Sequence, residues 1–168
     1  MRTAVAVSFS LAFGCASSSP SLDKASIGSL SFGTPSGWTT RDVSSPQRKM
    51  FEWSPTDNER KESLTVIRSD RPAMAKATQA QLQHLMREAQ RAMPDAAFSA
   101  PISFTTRHGF RGARIEGSFT PPGSSVRYHR IHATFVDGSA LINVLYTSRE
   151  LDRESFDAVL DSFFREGV

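Results

Sequence analysis

The stretch Ile131-His132-Ala133-Thr134-Phe135-Val136-Asp137-Gly138-Ser139-Ala140-Leu141-Ile142-Asn143-Val144-Leu145-Tyr146 decides the fold class of this chain. Both arms are rich in β-branched and aromatic residues, and Asp-Gly between them accepts the positive φ angles of a tight two-residue turn. Setting Val136 opposite Ser139 pairs Phe135 with Ala140, Ala133 with Ile142, Ile131 with Val144 and His129 with Tyr146. Because successive side chains alternate across a strand, Ile131, Ala133 and Phe135 with Ile142 and Val144 make one face of the hairpin a core face.

Outward from the hairpin, Ile102–Arg107 and Phe110–Phe119 read as preceding strands, with Val126–Val136 and Ala140–Ser148 as the hairpin arms. Upstream, Lys49–Trp53 and Ser63–Arg68 form a second strand pair, turned by Pro55-Thr56-Asp57-Asn58. A short strand at Leu30-Ser31-Phe32 leads into the turn Pro35-Ser36-Gly37-Trp38. Thr78–Met93 is a helix: Leu82, Leu85, Met86, Ala89 and Met93 share a stripe, Thr78 with Gln81 fits a capping box, and Pro94 closes it. A second helix is expected over Asp152–Glu166, with Asp152 as N-cap, Gly167 as stop, and Phe156, Val159, Leu160, Phe163 and Phe164 on its apolar side. The class is α+β: an antiparallel sheet of about six to seven strands with two main helices packed on it.

The N-terminus carries a different message. Arg2 is followed by an apolar small-residue run from Ala4 to Gly14, then by Cys15, the single cysteine of the 168-residue chain. A run of about ten residues matches a signal-peptide core and is too short to span a bilayer as a helix. Ala12-Phe13-Gly14-Cys15 resembles the lipobox of bacterial lipoproteins, which implies lipidation of Cys15 and a lipid anchor in the membrane. Ala12-x-Gly14 also suits the ordinary signal peptidase, which would leave a secreted soluble protein. No second cysteine exists to pair with an exported thiol. Ala16 stands where an aspartate commonly retains lipoproteins at the inner membrane, which favours the outer membrane, facing the periplasm or the surface. The expected organisation is a signal peptide over residues 1–14, a Ser-rich tether over 15–28, and a single domain over 29–168.

The order of an early strand into Pro35-Ser36-Gly37-Trp38, a mid-chain helix, four strands through Leu145-Tyr146-Thr147 and a Phe156–Phe164 helix resembles the PsbP/DcrB-like family. The resemblance covers roughly residues 28–166. It implies an α/β/α sandwich, export or lipid anchoring, and a role in binding, assembly or stabilisation. The family shares no catalytic motif, so the resemblance supplies no catalytic residue.

The residues themselves point the same way. About 150 residues remain after the leader, enough for one core without disulfides or metals. A hydrophobic share of 39% and a charged share of 22% describe a globular domain, and the net charge of +3 is spread along the chain. No basic cluster with interleaved aromatics calls for nucleic acid. Gly117-Ser118 and Gly138-Ser139 lack the flanking pattern of a serine-nucleophile elbow. Of His84, His108, His129 and His132, the last two lie three apart on a strand and face opposite ways, so no metal set assembles. No cofactor is expected. One polar cluster emerges from register: pairing Ile115 with Ile131 sets Glu116 against Arg130 and Arg114 against His132, and the Asp-Gly register sets His132 beside Asn143. Arg114, Glu116, Arg130, His132 and Asn143, edged by Tyr128, are then expected on the face opposite Ile131 and Val144. That face is read in two ways: a solvated surface of cross-strand ion pairs, or a groove for an acidic or hydroxyl-bearing partner. The function expected is a non-catalytic binding or assembly factor for another protein of the cell envelope, the alternative being a small-ligand-binding periplasmic or secreted module.

Overall fold

The computed structural model describes residues 20–56, 62–93 and 96–166. In chain order the strands are β1 (Leu22–Ile27), β2 (Leu30–Pro35), β3 (Trp38–Asp42), β4 (Lys49–Pro55), β5 (Ser63–Asp70), β6 (Ala97–Phe98), β7 (Ile102–Thr105), β8 (Arg111–Phe119), β9 (Tyr128–Asp137), β10 (Ala140–Ser148) and β11 (Phe164–Arg165). The helices are α1 (Gln79–Arg91) and α2 (Arg153–Asp161). A main antiparallel sheet runs β3-β4-β5-β10-β9-β8, and the free edge of β8 is covered end to end by the short strands β6 and β7. A second sheet of three strands runs β1-β2-β11. The chain is therefore α+β, as its pattern predicts, with more strands than the pattern reveals.

The β9–β10 hairpin forms, but its turn is Gly138-Ser139, with Gly138 at φ +59°. Phe135 pairs with Ile142, Ala133 with Val144 and Ile131 with Tyr146, while His129 meets Ser148. Each arm is shifted by one residue from the expected pairing. The two shifts add to an even step, so the apolar set stays on its core face.

Both faces of the main sheet are covered. On one side Leu82 and Met86 of α1 pack on Ala113, Ile115 and Leu141. On the other, Phe156, Val159 and Leu160 of α2, with Leu30, Phe32 and Phe163, cover Ile131, Ala133, Phe135, Ile142 and Val144. Phe163 stacks on Phe32 at 4.6 Å and meets Phe135 edge-on at 5.2 Å. Thr78 caps α1 through the expected box with Gln81.

Three expectations are corrected. Residues 22–27, assigned to the tether, form β1, because the Gly28-Ser29 turn (Gly28 at φ +66°) folds them onto β2. The C-terminal helix stops at Asp161 instead of Glu166. Ser162 donates its hydroxyl to the Val159 carbonyl at 2.6 Å and accepts the Gly33 amide at 2.7 Å, which ties the helix end to β2 and releases the chain into β11. Phe164 consequently leaves the apolar stripe and is exposed, while Phe163 stays fully buried. Residues 1–14, Cys15, Pro94 and Gly167 lie outside the described residues.

Candidate functional site

The six residues of the expected polar patch do not share a face. β8 pairs with β9 one residue away from the expected register: Ile115 meets His132, Glu116 meets Ile131, and Gly117 meets Arg130. An odd step moves side chains across the sheet. Arg114 and Glu116 thus lie on the α2 side, and Tyr128, Arg130, His132 and Asn143 on the α1 side. The observed step buries Ala113 and Ile115 against α1 and sets Arg114 and Glu116 beside Asp157 and Arg153 of α2. On the opposite edge of β8, a Cβ at Gly117 would lie 2.4 Å from both the Ala97 carbonyl and the Phe98 ring, so only glycine lets β6 close there.

On the α2 side the charges neutralise one another. Arg114 reaches Asp157 at 2.5 Å and Glu116 at 3.4 Å, and Arg153 bonds the second Glu116 oxygen at 2.7 Å. This network joins β8 to α2 and walls a cleft of about 340 Å³ between β7 and α2, where Ile102 is 47% exposed. With two carboxylates already on it, Arg114 serves to hold the helix to the sheet.

On the α1 side, His132 is 8% exposed. Its Nε2 lies 3.0 Å from Asn143 Oδ1, so the diagonal contact arises although the direct partner of His132 is Leu145. In that arrangement Nε2–H donates and Nδ1 is a buried acceptor with no partner among the described residues. Burial pushes its pKa below the usual 6.5; the Asn143 bond opposes the shift and the nearby Arg130 charge adds to it. The imidazole is held neutral inside a packed layer and has no open access to a reacting group.

Arg130 lies at the lower end of the same face, where β9 emerges from beneath the C-terminal turn of α1. Its guanidinium carbon sits 4.5 Å from the Phe119 ring centroid. Nε donates to Thr147 Oγ1 at 3.1 Å, and Nη1 points to Met93 Sδ at 3.7 Å. No carboxylate among the described residues pairs with it, and burial lowers its pKa. Around it lies a cleft of about 320 Å³ lined by Ala92, Met93, Ala96, Phe119, Thr120 and Pro122. Phe119 and Pro122 also wall a neighbouring cleft of about 280 Å³ that contains Tyr128, Ser124 and Thr147. Tyr128 itself is buried against Phe119 at 6.1 Å. The two clefts flank the shared walls Phe119 and Pro122, and the Arg130–Thr147 bond links a residue of one to a residue of the other; together they are called the groove. Phe119, read from sequence only as a strand end, and the Pro121-Pro122-Gly123 loop supply most of the groove wall. The sequence signal for them is an aromatic residue two positions before a proline pair, Phe119-Thr120-Pro121-Pro122.

Among the described residues, no group of three His, Cys, Asp or Glu side chains is placed to hold a metal ion. None of the described helices is long and apolar enough to cross a membrane.

No protein-family profile matches the chain. No curated protein matches it by sequence. Solved structures do. The solution structure of cyanobacterial PsbP (CyanoP) from Synechocystis sp. PCC 6803 aligns at TM-score 0.63 and 21% identity, covering 90% of this chain and 96% of that one. The fold is PsbP-like. A Bacteroides thetaiotaomicron protein aligns at TM-score 0.50 and 11% identity over 82% of this chain, which spans 45% of that longer one. LpqN of Mycobacterium tuberculosis, described as involved in cell envelope biogenesis, aligns at TM-score 0.43 and 15% identity, too loose a likeness to bear on function. At these identities the PsbP-like fold is established, and the function has to be argued from this chain's own residues.

Proposed function

We propose that this protein is an exported, lipid-anchored binding factor of the bacterial cell envelope, held at the outer membrane through Cys15 and engaging a partner protein through the Phe119–Arg130 groove. The observation that carries the reading is Arg130: a half-buried guanidinium without a carboxylate among the described residues, laid on an aromatic ring at an open apolar cleft. A desolvated cation with no carboxylate partner among the described residues is a place where the negative charge of a bound group is favourable. Arg on an aromatic surface is also the composition favoured at binding hot spots. The groove is open and each half is near the lower limit of about 300 Å³ for small-molecule sites, which favours a protein partner over an enclosed ligand. Export and anchoring rest on residues 1–15, and β1 begins only seven residues after Cys15, at Leu22.

Two measurements test this. Cys15→Ser should move the protein from the membrane fraction to the soluble fraction; a wild-type protein already soluble would leave plain secretion in place of anchoring. A photo-crosslinking residue at the exposed Ser125, beside the groove, should trap an envelope protein in living cells. The same residue at the exposed Arg41, on the far edge strand β3, should not. Equal trapping at both positions, or at neither, refutes the groove as the docking surface.

A further inference from the structure

From the chemistry of this groove we infer that it recognises the C-terminal carboxylate of a partner chain ending in an apolar residue. The inference rests on the docking role proposed for the groove and names what is docked. Arg130 has five N–H donors in a fork. Among the described residues, Nε is used by Thr147 and Nη1 points only at a thioether, a weak acceptor. The remaining donors suit a two-oxygen acceptor, for which the guanidinium plane is matched.

The rest of the recognition follows from distance. In a chain terminus the carboxylate and the last side chain branch from one Cα atom, so both must fit in a single cleft. The 320 Å³ cleft offers that combination: Arg130 on one wall, and Met93, Ala92, Ala96, Phe119 and Pro122 around it. A cavity of about 150 Å³ already accommodates a benzene ring, so the cleft has room for one apolar side chain plus a carboxylate. An internal Asp or Glu brings a carboxylate but no apolar group on the same Cα. Beyond Phe119 and Pro122, the second cleft offers the Ser124 and Thr147 hydroxyls to the preceding main chain. Carboxylate capture of this kind is a recurring mode of peptide recognition.

Arg130 has a competing structural role. It stands by Met93, just past the end of α1, where any cation complements the negative end of the helix. A lysine would serve that role as well, but it lacks the fork.

The experiment titrates the full-length protein with N-acetyl-alanyl-phenylalanine as the free acid, with its C-terminal amide, and with octanoate, following the Met93 methyl and Arg130 Nε–H signals by NMR. The free acid should bind saturably and at least tenfold more tightly than the amide and than octanoate. Arg130→Met should abolish the preference for acid over amide. Arg130→Lys should keep the thermal stability of the wild type yet weaken acid binding at least tenfold. The comparison of acid with amide uses wild-type protein alone, so it stands even where a variant fails to fold. Equal binding of acid and amide overturns the inference. So does octanoate binding as tightly as the peptide acid, which would make the groove a site for free acyl acids. Absence of binding by all three probes also overturns it, while crosslinking from Ser125 would still report a docked partner that uses other chemistry.

Discussion

His132 should make the stability of this protein pH-dependent in a calculable way. The ring is buried, its Nδ1 has no partner among the described residues, and Arg130 on the same strand is its charged neighbour. The folded-state pKa is therefore depressed below 6.5, mainly by burial. Between 6.5 and that lower value the unfolded chain binds a proton that the folded chain refuses. Stability is thus complete above pH 6.5 and falls as pH falls, by about 1.4 kcal/mol per unit, until the folded value is reached. With a urea m-value of about 2 kcal/mol/M, the midpoint should move by about 0.7 M per pH unit. Urea unfolding followed by the fluorescence of Trp38 and Trp53 from pH 7.5 to 4.5 reads this directly, with His132→Leu as the reference. Above pH 6.5 the variant should be about 1 kcal/mol less stable, since Asn143 Oδ1 loses its donor, and because it lacks the His132 slope that deficit should close as pH falls. Every other ionisable group is common to both proteins and cancels in the difference. Parallel midpoint lines for wild type and variant over the whole range would refute the reasoning.

Two further substitutions probe the frame that places the groove. Gly117→Ala sets a methyl 2.4 Å from the Ala97 carbonyl and the Phe98 ring, and should cost about 1–3 kcal/mol and detach β6, read as faster amide exchange at Phe98 and Ser99. An unchanged melting point would show that β6 does not need the close approach. Asp137, with a side chain only 7% exposed, accepts Arg165 Nε at 2.6 Å and Arg68 Nη1 at 3.5 Å. Asp137→Asn should cost about 1–3 kcal/mol, because both cations lose charge-assisted bonds, and high salt should narrow the gap to wild type. A gap that does not respond to salt would assign the loss to packing.

The sequence made the central elements legible because their signals are local. Thr78 with Gln81 marks a helix start wherever it is placed, and alternation along Ile131–Phe135 marks a buried face whatever the register. The patch was not legible because a single register step between β8 and β9 decides which side of the sheet Arg114 and Glu116 occupy. That step goes with contacts between elements that local patterns do not report: Ala113 and Ile115 pack under α1, and Arg114 and Glu116 meet Asp157 and Arg153 of α2. β11 was missed because Phe163 and Phe164 continue the helical spacing, and the Ser162–Gly33 bond that ends the helix is long-range. β1 carries a readable sign: Gly28-Ser29 between Ile27 and Leu30 has the same turn chemistry as Gly138-Ser139. β3, with the polar sequence Trp38-Thr39-Thr40-Arg41-Asp42 on an exposed edge, has no such sign.

The small sheet sets the order in which this molecule can complete itself. β2 lies between a strand formed by residues 22–27 and one formed by residues 164–165, and the Gly33–Ser162 bond closes a loop of 129 positions. Phe156, Val159, Leu160 and Phe163 all arrive in the final segment, and without them the apolar face of β9 and β10 stays open to water. Closing so long a loop is slow, since its entropy cost comes before any contact compensates. Until residues 153–165 have docked, the chain therefore stays unlatched, with the apolar face of β9 and β10 uncovered.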